Sequence, residues 1–181
     1  MRILVDMDGV IADFEKGFLD TYRNYHPDKY FVPLEQRTTF YVKEQYPNEL
    51  QPLVEEIYLA KGFFLSLPPI EGSLEALAEL TSLGDEINIC TSPLLSNPFC
   101  VQDKYDWVIN HLGKDWTDKI IVSKDKTIIH GDYLIDDKPD ILGVQEPSWR
   151  HILYSQPYNQ QVNSEHRITW RNWKSVIDSL R

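Results

Sequence analysis

The chain has 181 residues, 42% hydrophobic and 25% charged, and a formal net charge of −10 from 18 basic and 28 acidic side chains. That length can bury one sizeable core, or a core with an insertion, and the composition is that of a soluble globule rather than a disordered tail. An acidic surface does not concentrate near phosphate polymers or anionic lipid, so polymeric nucleic acid and membranes are excluded as partners, whereas a small positive pocket is not.

In chain order, Ile3-Leu4-Val5 is an aliphatic run ending in acid and predicts a buried strand. From about Ala12 the pattern changes: Val10, Phe14, Phe18 and Tyr22 recur at four-residue spacing and predict an amphipathic helix. Residues 26–52, rich in Pro, Tyr, Phe and charge, give no clear element. Leu50, Leu53, Val54, Ile57 and Tyr58 predict a second helix, broken by Gly62 and Pro68-Pro69. Ser73 is the expected N-cap of a third helix with the stripe Leu74, Leu77, Ala78 and Leu80, ended by Gly84. Ile87–Thr91 predicts a strand. Val101, Tyr105, Val108, Ile109 and Leu112 predict a helix closed by Gly113. Ile120–Val122, Tyr133–Ile135 and Ile152–Tyr154 predict further strands, and Trp173, Val176, Ile177 and Leu180 a C-terminal helix.

Apolar strand runs alternating with helices predict an α/β fold: a Rossmann-like parallel sheet covered by helices on both faces. Residues 15–71 fit that alternation poorly and are expected to form a small helical insertion after the first strand, over a core made of residues 1–14 and 72–181. No apolar run approaches the roughly 18 residues of a membrane span. Cys90 and Cys100 cannot make a disulfide framework, and Arg2 and Asp6 bring charge too early for a secretory signal, so a reduced, cytoplasmic protein is expected. Trp149, Trp170 and Trp173 are expected to pack at the sheet edge. Cys90 is expected to be a small buried residue, and the histidines show no ligand spacing.

Three predicted strands end in reactive polar residues: Asp6-Met7-Asp8-Gly9, Thr91-Ser92, and Asp136-Asp137. Strand C-termini of a parallel sheet share one edge, where ligands bind, so four carboxylates, two hydroxyls and a lysine, Lys126 or Lys124, should converge. Like charges that close together shift their pKa values or recruit a cation, and with oxygen ligands and no His or Cys the hard ion Mg²⁺ is the natural choice. Residues two apart on an extended chain face the same way, so Asp6 and Asp8 can address one substrate. An ionised carboxylate is a nucleophile that needs no base, and its partner can hold and return a proton.

The order of these parts, Asp-x-Asp first, then Thr/Ser, Lys and the acid pair, resembles the haloacid dehalogenase superfamily of phosphotransferases. More specifically, residues 6–15 (DMDGVIADFE), 89–93 (ICTSP), 124–127 (KDKT), 134–140 (LIDDKPD) and 147–149 (PSW) are similar to segments of the 5′(3′)-deoxyribonucleotidases. The resemblance implies Asp6 as nucleophile of an aspartyl-phosphate mechanism, Asp8 as general acid/base, and Thr91, Ser92 and Lys126 as phosphate-binding residues. It implies Mg²⁺ held by Asp6, the Asp8 carbonyl and Asp137, with Asp136 supporting the metal or Lys126. It also implies a cap over the site, with Phe14, Phe40, Tyr41, Val42 and Phe64 forming an apolar base and sugar pocket and Lys104 on the substrate side. The implied substrate is a small deoxyribonucleoside monophosphate, dUMP and dTMP preferred. The alternatives are a phosphatase of this fold for another small ester, such as a sugar phosphate, and a non-catalytic nucleotide-binding regulatory module. A homodimer stays open.

Overall fold

The structure, a computed structural model, describes residues 1–181. Its centre is a sheet of six strands: β1 (Arg2–Val5), β2 (Glu86–Thr91), β3 (Ile120–Val122), β4 (Tyr133–Asp136), β5 (Arg150–Tyr154) and β6 (Arg167–Ile168). All pairings are parallel and the spatial order is β3-β2-β1-β4-β5-β6. The aliphatic runs dictate this arrangement. Ile3, Leu4 and Val5 are wholly buried because both faces of a parallel sheet are covered. One face carries Ile3, Val5, Ile87, Ile89, Ile135 and Ile152 into the main core. The other carries Leu4, Cys90 and Leu134 onto Trp149. Burying each large aliphatic side chain contributes roughly 1.5–3 kcal/mol.

Five helices accompany the sheet: α1 (Phe14–Tyr25), α2 (Gln51–Leu59), α3 (Ser73–Ser82), α4 (Cys100–Leu112) and α5 (Trp173–Asp178). Several boundaries differ from the predicted ones. Val10 lies outside α1, in a tight turn where the N–H groups of Val10, Ile11 and Ala12 donate to the Met7 carbonyl (3.3, 2.9 and 2.9 Å). The helix starts at Phe14, because Asp13 caps it by accepting from the Lys16 N–H at 3.0 Å. Ser73 is the first residue of α3 rather than its cap. Gly72, at φ +82°, holds the cap position, and the Ser73 hydroxyl donates instead to the Ile11 carbonyl at 3.2 Å. The strand β6 was not predicted, since two residues are too short for a pattern to show. Trp149 and Trp170 do more than line a sheet edge: their indole N–H groups donate to the carbonyls of Lys126 (3.1 Å) and Val10 (2.6 Å).

Between β1 and α3 the chain makes α1, α2 and 3₁₀ turns at Leu34–Gln36, Val42–Gln45 and Phe64–Ser66, and adds no strand to the sheet. The two ends of this segment are tied together. Asp13 N–H donates to the Pro68 carbonyl (2.7 Å) and Ile70 N–H to the Ile11 carbonyl (2.8 Å). The region from Tyr58 to Leu67 is held from the α4 side by three buried side chains. Asn97 donates to the Tyr58 carbonyl (2.9 Å), Asp103 accepts from the Gly62 N–H (2.9 Å), and the Trp107 indole donates to the Leu67 carbonyl (2.7 Å). No helix is long and apolar enough to cross a membrane.

Candidate active site

The strand order places β1 between β2 and β4, at the point where the chain reverses its direction across the sheet, and crevices form there at the strand C-termini. Asp6 follows β1 directly, and its N–H donates to the Ile135 carbonyl at 2.8 Å, which sets it beside the end of β4. Asp136 is the last residue of β4, and Asp137 follows it. Carboxylate oxygens of Asp6, Asp136 and Asp137 lie within 4.8 Å of one another.

Of the two lysines left open by spacing, Lys126 is the one that enters. It sits in the 3₁₀ turn Lys126–Ile128, capped by Asp125, and its ammonium is 2.7 Å from Asp6 and 2.6 Å from Asp136. Lys124 is on the exposed side, 3.5 Å from the Pro93 carbonyl. Burial works to lower the Lys126 ammonium, but Asp6 and Asp136 outweigh it and hold it above its ordinary value.

A second buried cation stands opposite. Lys104 of α4 pairs with Asp8 at 2.7 Å and donates to the Thr91 hydroxyl (2.7 Å) and the Ser92 carbonyl (2.8 Å). Its buried ammonium therefore links Asp8 to Thr91 and lies 5.3 Å from the ring of Phe64. The Ser92 hydroxyl donates to the Ser123 carbonyl at 2.9 Å, and its carbonyl accepts from Lys104. Burial, with the charge of Asp6 beside it, raises the Asp8 carboxyl above its ordinary value against the pull of Lys104.

Burial and the neighbouring Asp136 and Asp6 push the Asp137 carboxyl well above the carboxylate range. Its Oδ1 is buried without a hydrogen-bond partner. Four carboxylates face only two ammonium groups, Lys104 and Lys126. An all-oxygen cluster with residual negative charge and two uncommitted buried oxygens, Asp8 Oδ1 and Asp137 Oδ1, fits a hard divalent cation such as Mg²⁺. Gly9 permits this crowding. It sits at φ +75°, and a Cβ there would collide with Asp137 Oδ2.

The acids open onto a cavity of about 460 Å³ whose walls include Phe14, Phe40, Val42, Tyr58, Phe64 and Leu94, with Asp8 and Asp137 also on its surface. Of the five predicted apolar pocket residues, Phe14, Phe40, Val42 and Phe64 are brought to its walls. Tyr41 is at the rim, 55% exposed, where the Lys138 ammonium lies 5.8 Å from its ring. Composition and spacing did not single out Tyr58 or Leu94 for this wall, nor Tyr158, whose hydroxyl donates to Asp137. They also missed the buried pair of Glu15 and Arg37, 2.6 Å apart. Tyr158 carries no motif. The one usable signal was that it follows a strand whose C-terminus must reach the same edge.

The whole chain, residues 1–181, matches the family model described as 5′ nucleotidase, deoxy (pyrimidine), cytosolic type C protein. A Bordetella pertussis protein is 49% identical over 177 residues, covering 98% of this chain and 95% of its own length. The human 5′(3′)-deoxyribonucleotidase, cytosolic type, is 45% identical over 191 residues, covering 100% of this chain and 95% of its own. Among solved structures, a HAD family hydrolase from Deinococcus radiodurans with bound phosphate and sodium superposes at a TM-score of 0.60. The match covers 98% of this chain and 95% of that one at 11% identity, a likeness of fold alone.

Proposed function

Since the chain belongs to the 5′(3′)-deoxyribonucleotidase family, with a haloacid dehalogenase-like fold, we propose that it removes phosphate from deoxyribonucleoside monophosphates, dUMP and dTMP preferred, with Mg²⁺ as cofactor. As a class, it is a nucleotidase, a hydrolase of phosphate monoesters. The observation that carries the finer reading is the contact between two unlike environments. A cluster of three carboxylates within 4.8 Å adjoins an aromatic cavity of nucleoside size.

In this reading Asp6, Asp137 and the Asp8 carbonyl would hold Mg²⁺, with Asp136 supporting Lys126, and the ion when bound would supply positive charge to offset that of the phosphoryl group. Asp6 attacks phosphorus, and the bond to the ribose oxygen breaks as Asp8 delivers a proton to it. The raised Asp8 carboxyl suits that donor role. The nucleoside leaves. Asp8 then takes a proton from water, the water oxygen bonds to phosphorus, and the acyl-phosphate bond breaks to return Asp6 and free phosphate. Lys126 and Lys104, with Thr91 and the Ser92 backbone, stabilise the phosphoryl oxygens as charge spreads over them. The segment 15–71 acts as a cap, and its Phe14, Phe40, Val42 and Phe64 surround base and sugar while Tyr41 closes the rim. A cytoplasmic setting suits Cys90 and Cys100, which are unpaired thiols.

The test is phosphate release across all deoxy- and ribonucleoside monophosphates and simple sugar phosphates, with and without Mg²⁺. A wide margin for pyrimidine deoxynucleotides supports the reading, and equal turnover of sugar phosphates overturns it. Nucleotide binding without turnover would indicate a regulatory module.

A further inference from the structure

The turn after β5 grips both acid-bearing loops. Gln156 donates from Nε2 to the Gly9 carbonyl at 2.6 Å. Asn159, fully buried, donates from Nδ2 to the carbonyls of Asp137 and Tyr154, both at 2.8 Å. Arg167 fixes Asn159 in turn, donating to its Oδ1 at 2.9 Å and its carbonyl at 3.0 Å. Between these anchors the Tyr158 hydroxyl donates to Asp137 Oδ2.

The Tyr158 ring is confined as well. The Arg37 guanidinium lies 5.6 Å over its face and Phe40 meets it edge-on at 5.9 Å. Arg37 is itself held by both oxygens of Glu15, at 2.6 and 3.1 Å. A carboxylate left to itself rotates between orientations. Here one oxygen is engaged by a hydroxyl on an immobilised ring, while the other, Oδ1, is buried and unpartnered. Hydrogen bonds to the far side of a metal-binding carboxylate fix its direction, so that little orientational freedom is lost when the ion arrives.

We infer that Tyr158 is a positioning residue which orients Asp137 for Mg²⁺ and acts through Asp137 rather than on the reacting atoms. The inference rests on the Mg²⁺ site proposed above. The ring contacts give it a second consequence: one side chain ties the wall of the cavity, through Phe40, to the acid cluster.

The test is calorimetric titration of Mg²⁺ into the full chain and into Tyr158→Phe, without substrate. The variant removes the hydroxyl and keeps the ring. The expected result is a Kd weakened by about tenfold or more. The substrate KM should stay near wild type, and kcat should recover at saturating Mg²⁺. A merely structural hydroxyl would lower the Tm in chelator and leave the Kd alone. The Mg²⁺-induced rise in Tm provides a second readout should the variant be destabilised, and it should shrink. Wild-type binding with an unchanged Kd in Tyr158→Phe would overturn this inference alone. Absence of Mg²⁺ binding by wild type would overturn the metal assignment and the inference together.

Discussion

Lys104 and Asp8 form a buried ion pair at 2.7 Å in which the cation is 2% exposed and the carboxylate 24%. Lys104 is thus screened from water, while Asp8 keeps one side toward the cavity. Replacing Lys104 by Met keeps the bulk and removes the charge. The Thr91 hydroxyl and the Ser92 carbonyl lose their donor, and the phosphoryl oxygens lose a nearby cation. The expected loss in kcat is on the order of 10²-fold. Steady-state kinetics on dUMP check this, and a change under twofold would remove Lys104 from the phosphate site.

Asp6→Asn should abolish turnover, because an amide oxygen is a poor nucleophile and cannot be regenerated through an acyl-phosphate. Its pairing with Lys126 at 2.7 Å weakens as well. Substantial Mg²⁺-dependent hydrolysis of dUMP or dTMP by this variant would show that another group attacks phosphorus.

Chelation should stop the reaction, and adding Mg²⁺ back should both restore it and raise the Tm. A ligand at about 100 times its Kd stabilises the folded state by about 2.7 kcal/mol. For a chain of this size that corresponds to a rise of roughly 5–10 °C. Thermal unfolding in chelator and in Mg²⁺ makes the comparison, and a flat response speaks against occupancy of the acid cluster.

Phe40→Ala opens the cavity wall and removes the edge contact with Tyr158 at 5.9 Å. Loss of about 1–2 kcal/mol of apolar contact should raise the KM for dUMP roughly tenfold. Hydrolysis of a small phosphate without a base should change little. Equal effects on both substrates would place Phe40 outside the base pocket.

The Glu15–Arg37 pair has side chains 8% and 2% exposed. Breaking it from one side strands a buried charge, so Glu15→Leu should destabilise by about 3–5 kcal/mol. Replacing both residues with apolar ones should recover much of that. Denaturant unfolding of the two variants tests this, and an unchanged single variant would mean that water reaches Arg37.

The core of the fold and the convergence of the acids are legible in the amino-acid order, for one reason. In a parallel sheet the aliphatic run that builds a strand also delivers the next residues to the ligand edge. Ile3-Leu4-Val5 therefore predicts both a buried strand and the place of Asp6 and Asp8, and Tyr133-Leu134-Ile135 does the same for Asp136 and Asp137. The family strings add specificity to that pattern. What the sequence cannot carry is any contact made by segments far apart in the chain without a periodic signal. Strand spacing alone left Lys126 and Lys124 open; the family resemblance pointed to Lys126, and the turn capped by Asp125 aims its ammonium at Asp6 and Asp136. That Lys104 pairs with Asp8 depends on where α4 packs. The bracing of Asp137 by Tyr158, 21 residues away, exists only because β5 lies beside β4 and its following turn folds back over the acids. Local propensity and periodicity determined the strands and their acidic ends. Long-range packing decided which cations, hydroxyls and rings surround those ends, because each such contact depends on where another element has come to rest.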